Sequence, residues 1–287
     1  MARMGWATQQ GPSGPRGRGA TATAVALALT FALALAALAP TALAKAAPRP
    51  LGKADAKAAA VAAQLDQALG GQSAWEGVPY VRFDFVIMQG GKEAARFRHW
   101  WDKRRGLDRV EGPDDKGRIV GAIVNLRDRT GKSFTAGLPD RDSSDVAAHV
   151  KDSYERWVND SYWLMMPFKL RDPGTNLKYS SMKKGPDGVE WDVLELTFDK
   201  GVGLTSGDHY WLYVNRKTHL MDKWDFLLES MKPPAHSATW EGWGKFGPVR
   251  LSTMHHFEGK PAFLTFENVL LPPSMDESIF TDARPKY

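Results

Sequence analysis

From Leu177 to Leu270 the chain repeats one pattern, and that pattern leaves few folds open to it. Runs of six to ten residues rich in β-branched and aromatic side chains are separated by short turn-forming stretches. The runs are Leu177 to Met182, Val189 to Phe198, His209 to Val214, Leu220 to Leu228, Ala238 to Gly244, Val249 to Phe257 and Ala262 to Leu270. Between them lie Lys184-Gly-Pro-Asp-Gly188, a loose glycine loop over 201–207, Asn215-Arg-Lys-Thr218, Lys245-Phe-Gly-Pro248 and Glu258-Gly-Lys-Pro261. Parallel neighbours need a crossover of a dozen or more residues, and no connection here is that long. The stretch therefore reads as an antiparallel meander.

The part before it adds strands and two helices. Ala58, Val61, Ala62, Leu65, Ala68 and Leu69 recur at helical spacing, and Gly70-Gly71 ends the run. Period two then takes over: Val81, Phe83, Phe85 and Ile87 alternate with Tyr80, Arg82, Asp84 and Val86. After the Gly90-Gly91-Lys92 turn, Phe97, His99 and Trp101 share the next alternation. Leu107 to Val110 and Ile119 to Leu126 follow around a turn at 114–117. Asp142, Ser143 or Ser144 can cap a second helix with the stripe Val146, Val150, Tyr154, Trp157 and Val158. It leads into Asn159-Asp-Ser-Tyr-Trp-Leu-Met-Met-Pro-Phe-Lys-Leu-Arg-Asp-Pro-Gly174, the densest apolar segment of the chain. There Asn159-Asp160-Ser161 reads as a break between helices, Pro167 limits further helix, and Asp172-Pro173-Gly174 reads as a tight turn with Gly at positive φ.

The expected fold is mainly β (α+β): a curled antiparallel sheet of about ten or eleven strands forming a half-open barrel, with an N-terminal helix and a mid-chain helical lid. Residues 53–287 read as a single domain behind a Pro-containing linker over 45–52. The first 44 residues read as a cleaved signal peptide: Arg3, Arg16 and Arg18 without an acid, an apolar run from Ala24 to Ala39, and Ala42-Leu43-Ala44 as a small-x-small cleavage pattern. As a helix that 16-residue run reaches about 24 Å, short of a bilayer core of about 30 Å. The alternative is an uncleaved anchor. Arg16-Gly-Arg18 is not a twin arginine, so export before folding is the simpler route.

With 0 Cys, an exported chain has no disulfide staple and no lipid-bearing Cys, so a sizeable core must hold it. The expected product is periplasmic or secreted, and not integral to the membrane after cleavage. Without the leader's three Arg, 35 Lys and Arg face 33 Asp and Glu, a balance that gives no reason to expect nucleic acid.

The export signal, the N-terminal helix, the long meander, the mid-chain helical segment and the short C-terminal tail ending in Phe280 together resemble the LolA/LolB-like superfamily of outer-membrane lipoprotein-sorting proteins. The segment from Asn159 to Gly174 is similar to a motif of an uncharacterised exported subgroup assigned to it. The topological likeness covers about 53–282. It implies a half-open barrel whose apolar interior, capped by helices, holds acyl chains in transit; relatives of the same fold also serve as envelope-stress sensors. The receptor-type members carry a lipidated Cys that this chain lacks, which makes soluble carriers the nearer analogue.

Catalytic motifs are weak. Gly131-Lys-Ser133 ends like a phosphate loop, but the glycine needed five positions earlier is Leu126. Gly201-Val-Gly203 precedes a strand rather than a helix. His255 and His256, adjacent on a strand, point to opposite faces and cannot share a metal. Asp114-Asp115, Asp140 and Asp142 suit turns and caps. No cofactor or metal is expected, and no enzyme. The positive signal is aromatic: of 11 Trp only Trp6 lies in the leader, and the Met165-Met166 pair beside Trp163 and Leu164 suits a surface that repacks around variable guests.

The expectation is a periplasmic carrier or binding protein for an acylated lipoprotein or lipid. Phe83, Phe85, Phe97, Trp101, Leu194, Leu196, Tyr210 and Leu212 would line the concave face; Trp163, Leu164, Met165, Met166 and Phe168 would form either a movable cover or a fixed plug. One rival is an envelope-stress sensor or adaptor with an envelope protein as partner. A second is a periplasmic hydrolase whose triad assembles only in space, with a His between a Ser and an Asp.

Overall fold

A computed structural model describes residues 49–114 and 116–286. The expected signal over 1–44 and the first part of the expected linker lie outside the described residues. Its last residues are docked rather than free: Arg49 pairs with Glu76 at 2.9 Å, and its carbonyl accepts from Arg171.

In chain order the strands are β1 (Lys53–Ala54), β2 (Tyr80–Gln89), β3 (Lys92–Asp102), β4 (Leu107–Pro113), β5 (Ile119–Asn125), β6 (Gly131–Thr135), β7 (Leu138–Pro139), β8 (Thr175–Lys184), β9 (Glu190–Phe198), β10 (His209–Asn215), β11 (Met221–Leu227), β12 (His236–Thr239), β13 (Gly244–Phe246), β14 (Val249–Leu251), β15 (Met254–His256) and β16 (Ala262–Leu270). The helices are α1 (Ala56–Leu69), α2 (Gln72–Gly77) and α3 (Ser143–Met165), with 3₁₀ turns at Met166–Arg171 and Glu277–Phe280. Ten strands have five or more residues, and these are the ones the period-two pattern brings out, apart from β6. Where the pattern ran on over Ala238–Gly244 and Val249–Phe257, the chain breaks each run into short pieces. Ser252 Oγ bonds to the Glu241 carbonyl at one of those breaks.

Two sheets result. One has the order β1-β8-β9-β10-β11-β12, the other β15-β16-β2-β3-β4-β5-β6-β7, and a separate hairpin is made by β13 and β14. Every pairing is antiparallel except β1 with β8. The sheets touch where β12 meets β15, through bridges at Ala238–Phe257 and Glu241–Met254. No such bridge joins β1 to β7 among the described residues. This is the curled, half-open arrangement expected from the sequence.

The apolar rows face inward. Val81, Phe83 and Phe85 of β2 stand opposite Trp101, His99 and Phe97 of β3, while Arg82 and Asp84 on the other face join an ion network with Arg96 and Glu267. Helix α1 fills the interior with Ala58, Val61, Ala62, Leu65 and Leu69. Asp55 caps it on the Ala58 amide at 2.8 Å, and Gly70 ends it at φ 107°. Helix α3 runs unbroken through Asn159-Asp160-Ser161, contrary to the expected interruption, because Asp160 has a buried partner inside the fold. It gives way to 3₁₀ geometry at Met166, just before Pro167, whose missing amide hydrogen cannot continue the ladder. Asp172-Pro173-Gly174 forms the expected turn: the Thr175 amide donates to the Asp172 carbonyl at 3.2 Å, and Gly174 has φ 81°.

The convex face of the β2–β7 sheet is covered by the C-terminal tail. Arg109 and Glu111, both fully buried, pair at 2.5 Å. Arg109 also donates to the carbonyls of Ile279, Asp282 and Arg284, and Glu111 accepts the Lys286 amide. Phe280 packs there with Trp100, Ile123 and Phe134.

Candidate functional site

Helix α3 leans one side on the β2–β7 sheet, where Val150 meets Ala122 and Val124. Its other side faces the sheet of β8–β12 across a cleft of about 690 Å³. From α3 the cleft takes Trp157, Val158, Ser161, Tyr162 and Trp163; from the sheet, Phe198, Tyr210, Trp224, Phe226 and Leu228. The loop 202–205 forms a third wall. That loop is tied down by Asp208, which accepts from Thr205 Oγ1 at 2.7 Å, Tyr210 Oη at 3.1 Å and the Glu229 amide at 2.8 Å.

The floor is an aromatic seam joining helix to sheet. Trp163 meets Trp224 edge-on at 4.7 Å, Tyr210 stacks on Trp224 at 5.0 Å, and Tyr162 lies 5.6 Å from Tyr210. Burial, with Asp208 close by, raises the Tyr162 and Tyr210 phenols well above their ordinary pKa, so both stay neutral hydrogen-bonding groups. Two indole N–H groups of the cleft, on Trp157 and Trp224, are buried without an acceptor among the described residues.

One charged device fixes α3. His99 on β3 is fully buried and bonds through Nδ1 to Asp108 of β4 at 3.0 Å and through Nε2 to Asp160 of α3 at 3.1 Å. Burial opposes its charge, but the two carboxylates more than offset this and raise its pKa to about 9, so the ring is an imidazolium near neutrality. Burial pushes Asp108 up to about 6. Asp160 is held besides by Asn159 Nδ2 at 2.8 Å and Arg156 at 3.4 Å. Sequence reasoning placed His99 on the apolar face but gave it no partner. The signal lay in Asp108, which the β3–β4 hairpin sets on the same face.

Of the residues proposed from the sequence, Trp163 and Tyr210 line the large cleft. Trp101, Met165 and Phe168 line a smaller pocket of about 320 Å³ beside Trp75 and Lys103. Phe83, Phe85, Leu164, Met166, Leu194, Leu196 and Leu212 are core residues, each at most 2% exposed. Phe97 lies across Gly112, with the Arg156 guanidinium stacked on it at 3.4 Å. Leu164 and Met166 of that segment are thus packed into the core, Met165 and Phe168 edge the smaller pocket, and the large cleft is lined by residues on either side of the segment, 154–163 and 169–175. Trp157, Tyr162, Phe198, Trp224 and Phe226 belong to the cleft without having been singled out from the sequence as lining it.

The arrangement sought for a hydrolase takes a different form. Ser133 Oγ donates to Asp140 Oδ2 at 2.6 Å, and His149 Nδ1 meets that same oxygen at 2.9 Å. The carboxylate is the centre of this trio, so the imidazole is not placed to take the hydroxyl proton. His255 is buried with Nδ1 on the Thr239 carbonyl, and His256 is exposed. Among the described residues no group of three or more His, Asp or Glu could hold a metal ion.

A family of unknown function, DUF6503, matches residues 133–232, the stretch containing α3 and β8–β11. No curated protein matches the chain in sequence. Among solved structures, the chain is similar to a LolA superfamily protein from Nitrosomonas europaea, at 13% identity over 78% of this chain and 97% of that one, with a TM-score of 0.45. It is similar to a domain assigned to outer-membrane lipoprotein sorting from Vibrio parahaemolyticus, at 10% identity over 78% and 96%, TM-score 0.44. The MucA/MucB complex of Pseudomonas aeruginosa matches at 13% identity over 80% and 100%, TM-score 0.20.

Proposed function

We propose that this chain is a periplasmic binding or carrier protein that holds the acyl chain of a lipid or lipoprotein in the cleft between α3 and the β8–β12 sheet. The observation that carries the reading is the cleft itself: about 690 Å³ walled largely by Trp, Tyr, Phe, Val and Leu side chains. That volume lies within the range of about 300–1,000 Å³ usual for small-molecule sites. An alkyl chain entering it gains about 0.8 kcal/mol per buried methylene, so affinity climbs steeply with chain length and discriminates poorly among chains of one length. In this reading the buried phenols and indole rings orient the guest. Among the described residues no helix is long and apolar enough to cross a membrane.

The test is native mass spectrometry of protein purified from its own periplasm, followed by extraction of the bound material. A discrete adduct that is released as a lipid or lipopeptide supports the reading. A chain that is ligand-free as isolated, and that takes up no long-chain lipid when one is offered, refutes it.

A further inference from the structure

The cleft does not end at Trp157. Tyr154, Glu155 and Leu204 line it and also line a second cleft of about 710 Å³ along the N-terminal half of α3. The chemistry changes across that seam. On the inner side most of the wall is aromatic or aliphatic, and the cations that reach it, Arg49 and Lys169, are paired with Glu76 and Asp172; on the outer side Arg129, Arg141 and Lys151 appear, with Glu155 the one acid among the lining residues. Glu155 is taken by Lys151 at 3.1 Å. Arg129 and Arg141 make no ion pair with the described residues, and the Arg129 guanidinium rests on the Tyr154 ring at 4.7 Å, at the seam itself. The acids nearest in sequence are engaged elsewhere: Asp128 with Thr130, and Asp142 with Ser144 as the α3 cap.

We infer that the guest is an anionic amphiphile, its alkyl chain lying in the inner cleft and its carboxylate or phosphate head at Arg129 and Arg141. This rests on the carrier reading and sharpens it to a ligand class. The Arg129 guanidinium stands at the Tyr154 seam shared by the two clefts and Arg141 lines the outer one, so a head held there leaves the chain pointing inward along α3. Guanidinium is suited to the task because its planar fork matches both carboxylate and phosphate.

Three probes with one tail decide it: palmitate, hexadecanol and hexadecyltrimethylammonium, each titrated below its micelle concentration into the delipidated full-length protein and followed by tryptophan fluorescence. Palmitate is expected to bind about tenfold or more tighter than hexadecanol, as a charge-assisted contact requires, with the cation weakest. Added salt, and the double variant Arg129→Gln/Arg141→Gln, should bring palmitate down to the alcohol's affinity. Arg250→Gln, an exposed guanidinium on the β13–β14 hairpin, should leave palmitate binding as it was. If alcohol and acid bind equally, or the double variant changes nothing, the head-group assignment is overturned while the carrier reading stands. If none of the three binds, the carrier reading falls and this inference with it.

Discussion

The position of α3, and with it one wall of the cleft, depends on the buried bridge Asp108–His99–Asp160. Replacing His99 alone with Leu leaves two carboxylates in the interior, Asp108 without any cation and Asp160 with Arg156 at 3.4 Å. Breaking a buried pair this way costs about 3–5 kcal/mol. Replacing all three residues with Leu removes the orphaned charges, and the triple variant should be more stable than the single one. The pH dependence follows from the raised pKa of His99. Its contribution is fully present below the unfolded value of 6.5 and is lost as pH rises through about 9. With about 1.4 kcal/mol per pKa unit, the loss amounts to about 3 kcal/mol. Lys103, which burial lowers to about 7, has the opposite sign: its folded state resists protonation, so stability grows as pH rises from about 7 towards 10.5. The comparison is therefore the difference between the wild type and the triple variant, in which Lys103 cancels. Urea unfolding across this range should show the wild type losing about 3 kcal/mol relative to the triple variant between pH 6.5 and 9. A difference that stays flat, or a single variant as stable as the triple, would refute the reasoning.

Other outcomes follow from particular contacts. In Gly174→Ala the new methyl meets Val202 Cγ2 at 2.4 Å and the residue must hold φ 81°. A cost of at least about 1–2 kcal/mol is expected, together with faster proteolysis in the loop 201–207, and an unchanged urea midpoint would contradict this. Deleting 277–286 strips three carbonyls from Arg109 and the Lys286 amide from Glu111. It should lower stability by on the order of 3 kcal/mol or more, read as a fall in Tm, whereas an unshifted Tm would mean the tail is dispensable cover. Val158→Trp places an indole in the inner cleft; it should abolish binding of long-chain probes while leaving the urea midpoint close to the wild type, and retained binding would put the guest elsewhere.

Much of the architecture is legible because period two and turn chemistry are local. The row Val81-Phe83-Phe85 could be read as a face before any pairing was known, and Gly70 and Gly174 mark a helix end and a turn by backbone preference alone. Asp160 could not be read this way. Asn-Asp-Ser is an N-cap composition, and only a partner 61 residues away, His99, turns Asp160 into a mid-helix anchor. The six-residue α2, following two glycines, has too few positions to show a period. The cleft was missed for a related reason. Density of apolar residues over Trp163–Phe168 signals burial, but burial by protein and burial by a guest look alike in sequence. Here Leu164 to Phe168 are covered by α1 and the two sheets, and the space is left one turn earlier on the helix, where Val158 and Ser161 are smaller than the rings around them.

The central claim, that a hydrocarbon chain enters between α3 and the β8–β12 sheet, is tested most directly by titrating the delipidated protein with a fatty acid brominated near its tail and recording tryptophan emission. Trp157, Trp163 and Trp224 line the cleft, so the account predicts deep, saturable quenching at one chain per protein, lost in Val158→Trp. Quenching that never saturates, or none at all, would contradict it.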